Sequence, residues 1–80
     1  MKYIRSVLNG GNSYSVFEKK IVSEGRIIDS YGICIENNSE SVYIPDITTV
    51  KDIAMCMIKV LSTERIMPDK IEKVICSLIS

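Results

Sequence analysis

Arg26-Ile27-Ile28-Asp29-Ser30-Tyr31-Gly32-Ile33-Cys34-Ile35-Glu36 is the stretch on which the fold turns. Its side chains sort by twos. Ile27, Tyr31, Ile33 and Ile35 fall on one side, with Asp29 interrupting that row near its start. Ile28, Ser30, Gly32 and Cys34 fall on the other, which is small or mixed. A period of two marks a half-buried strand, and the isoleucine and tyrosine row is expected to face the core. Just before it, Ser23-Glu24-Gly25 breaks an apolar run and supplies a glycine where a tight hairpin needs positive φ. The preceding run, 14–22, then reads as the partner strand, with Phe17, Lys19 and Ile21 on one face and Tyr14, Val16, Glu18 and Lys20 on the other.

Downstream, Asn37-Asn38-Ser39 turns the chain into a third strand over 40–44, carried by Val42, Tyr43 and Ile44. Pro45 is expected to close it, because proline cannot donate to a ladder. Upstream, Lys2 to Leu8 alternates weakly and stops at Asn9-Gly10-Gly11-Asn12. An edge strand over 2–7 is one reading of it, and a flexible leader over 1–13 the other.

From Thr48 the apolar period changes from 2 to 3.6. Thr49 and Asp52 have the spacing of a capping box. Val50, Ile53, Ala54, Met57, Ile58 and Leu61 mark one broad helical face, which Met55, Cys56 and Val60 widen beyond what a surface helix needs. Pro68 suits the first turn of a second helix, with Asp69 near the positive end of its dipole. There Ile71, Val74, Ile75, Leu78 and Ile79 recur at helical spacing.

The expected fold is α+β in a single domain over 1–80. An antiparallel meander at 14–22, 26–36 and 40–44, with a fourth strand at 2–7 as the larger variant, precedes two helices near 50–62 and 68–79. The strands are joined by turns too short for parallel crossovers, and a sheet with one apolar face needs the helices as cover. Ile33, Ile35, Ile53, Met57, Leu61, Ile71, Val74, Ile75 and Leu78 are the expected core.

One group of residues carries a likeness. Tyr31-Gly32-Ile33 lies in a strand, Ile44-Pro45-Asp46-Ile47-Thr48-Thr49 leads into a helix, and Met67-Pro68-Asp69-Lys70-Ile71 opens a terminal helix containing Val74. This set resembles a family of very small uncharacterised proteins of clostridia and related spore-forming Firmicutes, over about residues 14–80. The resemblance implies the fold and a cytoplasmic bacterial setting, but no chemistry, since the family is a domain of unknown function. Where its members place a Glu-Asp pair in the terminal helix, this chain has Ile75-Cys76, and residues 1–13 stand as an addition.

The composition narrows the function classes. The chain has 80 residues, 46% of them apolar and 25% charged, and ten basic residues balance ten acidic ones. Fourteen isoleucines and seven valines exclude disorder, and the neutral balance counts against a non-specific nucleic-acid binder. Three cysteines, an odd count, together with an N-terminal stretch that lacks an export signal's apolar segment, lead to an expected cytoplasmic setting with free, largely buried thiols. No apolar run approaches the length of a membrane span.

Histidine is absent, which removes the usual general base and the usual nitrogen ligand for a metal. Cys34, Cys56 and Cys76 form no close pair, so neither a redox couple nor a thiolate metal site is indicated. Asp52 and Asp69 read as helix-start residues, Asp46 as a carboxylate accepting backbone donors between strand and helix, and Glu72 pairs with no other carboxylate. Gly10-Gly11 lacks the Lys-Ser/Thr and the helix of a phosphate loop. No catalytic residue, cofactor or metal is therefore expected. The function that fits is a non-enzymatic regulator, adaptor or inhibitor that binds a protein through an apolar helix surface at Met55, Cys56, Lys59 and Val60, as a homodimer or with another protein. The alternative is single-strand nucleic-acid binding through Tyr3, Tyr14, Tyr31 and Tyr43 with Arg5, Lys19, Lys20 and Arg26, although the strand parities do not align these residues well. A small enzyme is the least favoured reading, and neither a membrane nor a small-molecule substrate is implied.

Overall fold

A computed structural model describes the backbone of residues 2–79 and the side chains of residues 2–77. The chain runs β1 (Lys2–Asn9), β2 (Asn12–Ser23), β3 (Arg26–Glu36), β4 (Ser41–Thr48), α1 (Lys51–Thr63), a 3-10 turn at Pro68–Lys70, and α2 (Ile71–Ile79). The four strands form one antiparallel sheet in sequence order, and both helices pack on one face of it. The weak alternation before Asn9 is thus a full edge strand. Its turn has Gly10 and Gly11 at φ 61° and 83°, the left-handed pair that matches the twist of the flanking strands.

Register fixes the two faces. Tyr14 lies opposite Ile35 and Val16 opposite Ile33, so the even positions of β2 and the odd positions of β3 share the helix side. The core there comprises Tyr14, Val16, Tyr31, Ile33 and Ile35 from the sheet, with Ala54, Met57, Ile58 and Leu61 from α1, and Ile71 and Ile75 from α2. Six of the expected core residues are among them. Ile53 is not. It sits on the flank of α1 and is 45% exposed, because the side of the helix that meets the sheet is centred on Ala54, Ile58 and Leu61. Val74 is half-buried against the core, and the expectation for Leu78 concerns a side chain outside those described. Ile27 also departs from its row, at 71% exposed. It lies with Val22 near the tip of the β2–β3 hairpin, beyond the surface ion pair of Lys20 and Asp29 at 2.8 Å.

Pro45 does not end the last strand. Tyr31 pairs with Thr48 and Ile33 with Ile44, so Pro45, Asp46 and Ile47 all stand opposite Gly32 in a large bulge. Proline is tolerated there because β4 is an edge strand and the bulge needs no ladder donor. Asp46 takes a left-handed φ of 55° at its crest. Its carboxylate meets Lys19 Nζ at 3.1 Å, in place of the expected backbone donors. A Cβ on Gly32 would stand 2.7 Å from the Ile44 carbonyl oxygen and 2.9 Å from Pro45 Cα, so the bulge closes only over a residue without a side chain.

The expected capping box at Thr49 is absent. Val50 is the N-cap and contributes no side-chain bond, while Thr48 Oγ1 accepts the Val50 N–H at 3.1 Å. At its other end α1 stops in a Schellman motif: Ile66 N–H reaches the Leu61 carbonyl at 3.0 Å and Arg65 N–H the Ser62 carbonyl at 3.2 Å, with Arg65 at φ 52°. A polar lattice ties this corner to the sheet. Tyr14 donates to the Ile66 carbonyl at 2.9 Å, Asn9 donates to the Ser62 carbonyl at 2.7 Å, and Asn12 donates to the Tyr14 hydroxyl at 3.3 Å. Asn37 donates to Asn12 Oδ1 at 3.1 Å, so the turns at this end of the sheet are joined as well.

Candidate functional site

The surface of α1 divides along its length. Ala54, Met57, Ile58, Leu61 and Ser62 are buried, while Asp52, Lys59 and Thr63 form an outward polar ridge with Cys56 among them. Each flank of that ridge overlooks a depression. On one flank an open groove of about 420 Å³ runs between α1 and β1, with Val7, Met55 and Ile58 on its floor and Arg5, Lys59 and Ser62 among its lining residues. On the other, Ile53, Met57 and Val60 line a shallower, more apolar depression of about 280 Å³, bordered by Asp52. Cys56 touches both.

The four residues expected to form an interaction surface are distributed across this ridge. Met55 and Lys59 belong to the β1 groove, Val60 to the opposite depression, and Cys56 to the crest between them. The count of apolar residues around α1 had suggested one broad face, but the polar ridge splits what remains after burial. Arg5 and Val7 went unrecognised as groove residues because they lie in the stretch whose sequence left strand and leader equally open. The usable signal there was the parity of Arg5 and Val7, two residues apart on one side of a strand.

Charge is unevenly placed around these features. All charged side chains lining the β1 groove, Arg5 and Lys59, are cationic, and among the described residues neither takes part in an ion pair. The two ion pairs found, Lys19–Asp46 and Lys20–Asp29, lie elsewhere on the sheet. The Asp29 carboxylate, through its hydrogen bond and its charge, raises the Lys20 pKa. Desolvation of the ring, helped by the charge of Glu18, raises that of the Tyr31 phenol, which donates to Glu18 Oε2 at 3.4 Å.

The open face of the sheet carries an aromatic row. Tyr3 pairs with Phe17, and Phe17 lies opposite Gly32. The Phe17 ring packs edge-on against Tyr3 at 5.4 Å and against Tyr43 at 6.0 Å. Tyr14 and Tyr31 lie on the other face, in the core. The tyrosines thus divide two and two, and the half-buried Phe17 lies between the exposed pair.

Among the described residues, no three His, Cys, Asp or Glu side chains are grouped to hold a metal ion, and no helix is long and apolar enough to cross a membrane. The three thiols are free. Cys34 is half-buried, but Cys56 and Cys76 are exposed, contrary to the expectation of buried thiols. Both sit in apolar stretches of sequence, yet Cys56 lies on the crest of α1 and Cys76 lines an open depression beside the edge strand β4. Comparison with protein-family models, curated proteins and solved structures found no match to this chain.

Proposed function

We propose that this chain is a non-enzymatic protein-binding module, a small regulator, adaptor or inhibitor that takes its partner along α1. The observation that carries this reading is the pair of apolar depressions flanking the α1 ridge. Each has exposed or half-buried apolar side chains at its surface, Val7 and Met55 in one and Ile53 and Val60 in the other, and among the described residues no group of three His, Cys, Asp or Glu side chains lies beside either. A cytoplasmic setting belongs to the same reading, with three thiols open to alkylation in the native protein. Affinity capture from the native host, run in parallel with Met55→Lys and Val60→Lys, tests it. A partner retained by the parent and lost by one folded variant supports the reading, and identical capture by all three proteins refutes it.

The aromatic row favours a second reading. Tyr3, Phe17 and Tyr43 on an open sheet face offer the kind of platform on which single-stranded nucleic acid stacks. It ranks lower because Lys19, the cation on the same face of β2, is already engaged by Asp46, and the chain has no net charge. Submicromolar binding of a single-stranded oligonucleotide that weakens steeply with salt would favour it.

A further inference from the structure

We propose that the groove between β1 and α1 binds an extended peptide segment of a partner protein, with an acidic and an apolar side chain two residues apart on one face, which adds to the sheet as a fifth strand along the free edge of β1. The inference rests on the reading of the chain as a protein-binding module and names the chemistry of the partner.

The edge comes first. β1 is a terminal strand of the sheet, so one side of its backbone pairs with β2 and the other side faces no strand. Such an edge is a template for an added strand. The opposite edge, β4, is blunted by Pro45 and by the bulge at Asp46. The irregularity in β1 is confined to Tyr3–Arg5, and from Arg5 to Asn9 its register runs unbroken. That stretch is about 17 Å long, enough to hold a short strand.

The groove then specifies the side chains. Arg5 and Val7 lie opposite Val16 and Tyr14, which places them on the helix side, while Ser6 and Leu8 lie on the open side. No residue of β2 lines the groove, so it opens at the β1 edge. Alternate side chains of an added strand would enter it, an apolar one over Val7, Met55 and Ile58 and an acidic one between Arg5 and Lys59. On the other face an apolar side chain would cover Leu8, which is 80% exposed.

Charge also separates the possible occupants. A second copy paired through the same edge would bring the Arg5 and Lys59 of both copies into one groove, like charge against like. A nucleic acid would satisfy the cations, but it has no peptide backbone to pair with β1 and little to place on the apolar floor. An acidic and apolar segment satisfies edge, floor and rim together.

The probe is a synthetic peptide of about seven residues, with Val and Glu taking turns at the odd positions, Val at the even positions and blocked ends, followed by fluorescence polarisation and by amide hydrogen exchange. The expected result is saturable binding that slows exchange of β1 amides, with affinity falling about fivefold in each of Arg5→Glu and Lys59→Glu. A Lys and Val peptide should bind those variants better than the parent. The Glu and Val peptide with alternate amides N-methylated should lose binding.

Equal binding of the acidic and basic peptides by the parent would overturn the charge argument. Undiminished binding of the N-methylated peptide would overturn strand addition, and so would displacement of the peptide by a single-stranded oligonucleotide. If no peptide binds at about 1 mM while host capture still yields a partner sensitive to Val60→Lys, the β1 site is wrong and the protein-binding reading stands. If both fail, both fall.

Discussion

Replacing Gly32 with alanine puts the β3–β4 junction to a direct test. The new methyl would lie 2.7 Å from the Ile44 carbonyl oxygen, 2.9 Å from Pro45 Cα and 3.2 Å from Tyr43 Cε1. The first two are backbone atoms, which cannot swing aside as the end of a flexible side chain can. Relief therefore requires β4 to move outward across the bulge, which pulls Asp46 from Lys19 and loosens Ile44 over the core. Forcing a methyl into a packed site typically costs about 1–3 kcal/mol. Against this, alanine reduces the freedom of the unfolded chain relative to glycine, a gain of about 0.4–1 kcal/mol. Gly32 has no positive φ, so the substitution carries no backbone penalty to confuse the result. The balance is a loss of about 1–2 kcal/mol, a large share of the stability expected of a domain this size. Urea denaturation followed by circular dichroism should show a lower midpoint at unchanged slope. Amides of β4 should exchange faster while those of β1 stay protected. Unchanged stability and unchanged β4 protection would show that the three-against-one bulge is not held by close approach over Gly32.

Other substitutions probe separate parts of the molecule. Tyr14→Phe removes the donor to the Ile66 carbonyl and the acceptor for Asn12, and should cost about 1–3 kcal/mol in the same denaturation experiment. Ile75→Ala opens a cavity beside Ile71 and should cost about 2–4 kcal/mol; a loss below about 1 kcal/mol would place α2 outside the core. The folded pKa of Tyr31 is raised, so its contribution to stability is complete below the unfolded phenol value near 10 and is lost as the pH rises through the higher folded value. Tyr31→Phe should flatten that alkaline decline in denaturation midpoints, and an unchanged decline would reject the assignment. Sedimentation over about 1–100 µM should show a dimer dissociated by Val60→Lys if a second copy covers the Ile53 flank, and a monomer throughout would reject self-association.

The strands were legible because alternation survives in single sequences wherever one face is buried. Ile33 and Ile35 lie in a row that only a period of two can place, and Tyr14 and Val16 follow by pairing. Hairpin turns were legible from Gly10-Gly11 and Gly25, whose left-handed conformations few other residues adopt at low cost. Other features depend on contacts the sequence does not print. Pro45 looks like a terminator until the register shows three residues set against Gly32. Thr49 looks like a cap until Thr48 takes the Val50 N–H. Ile27 has the pattern of a core residue but lies past the point where the helices end their cover.

The same distinction explains the surface. Counting apolar residues around α1 assumes that everything the sheet does not bury is exposed together. A helix instead has two flanks on either side of its outward line, and what reaches each flank depends on the neighbouring element. Here β1 stands beside one flank, so Met55 and Lys59 acquire Arg5 and Val7 as neighbours and become part of a groove with a backbone edge. Nothing comparable lines the flank of Ile53 and Val60, which remains a bare apolar depression. The two surfaces therefore invite different chemistry from one helix. The first selects by charge and backbone pairing, and should be sensitive to salt and to Arg5. The second selects by shape and apolar area, and should be indifferent to salt but sensitive to a charge at Val60. A partner whose capture responds to Arg5→Glu and to salt but not to Val60→Lys is held at the sheet edge. The reverse pattern would move the interface across the ridge to the Ile53 side.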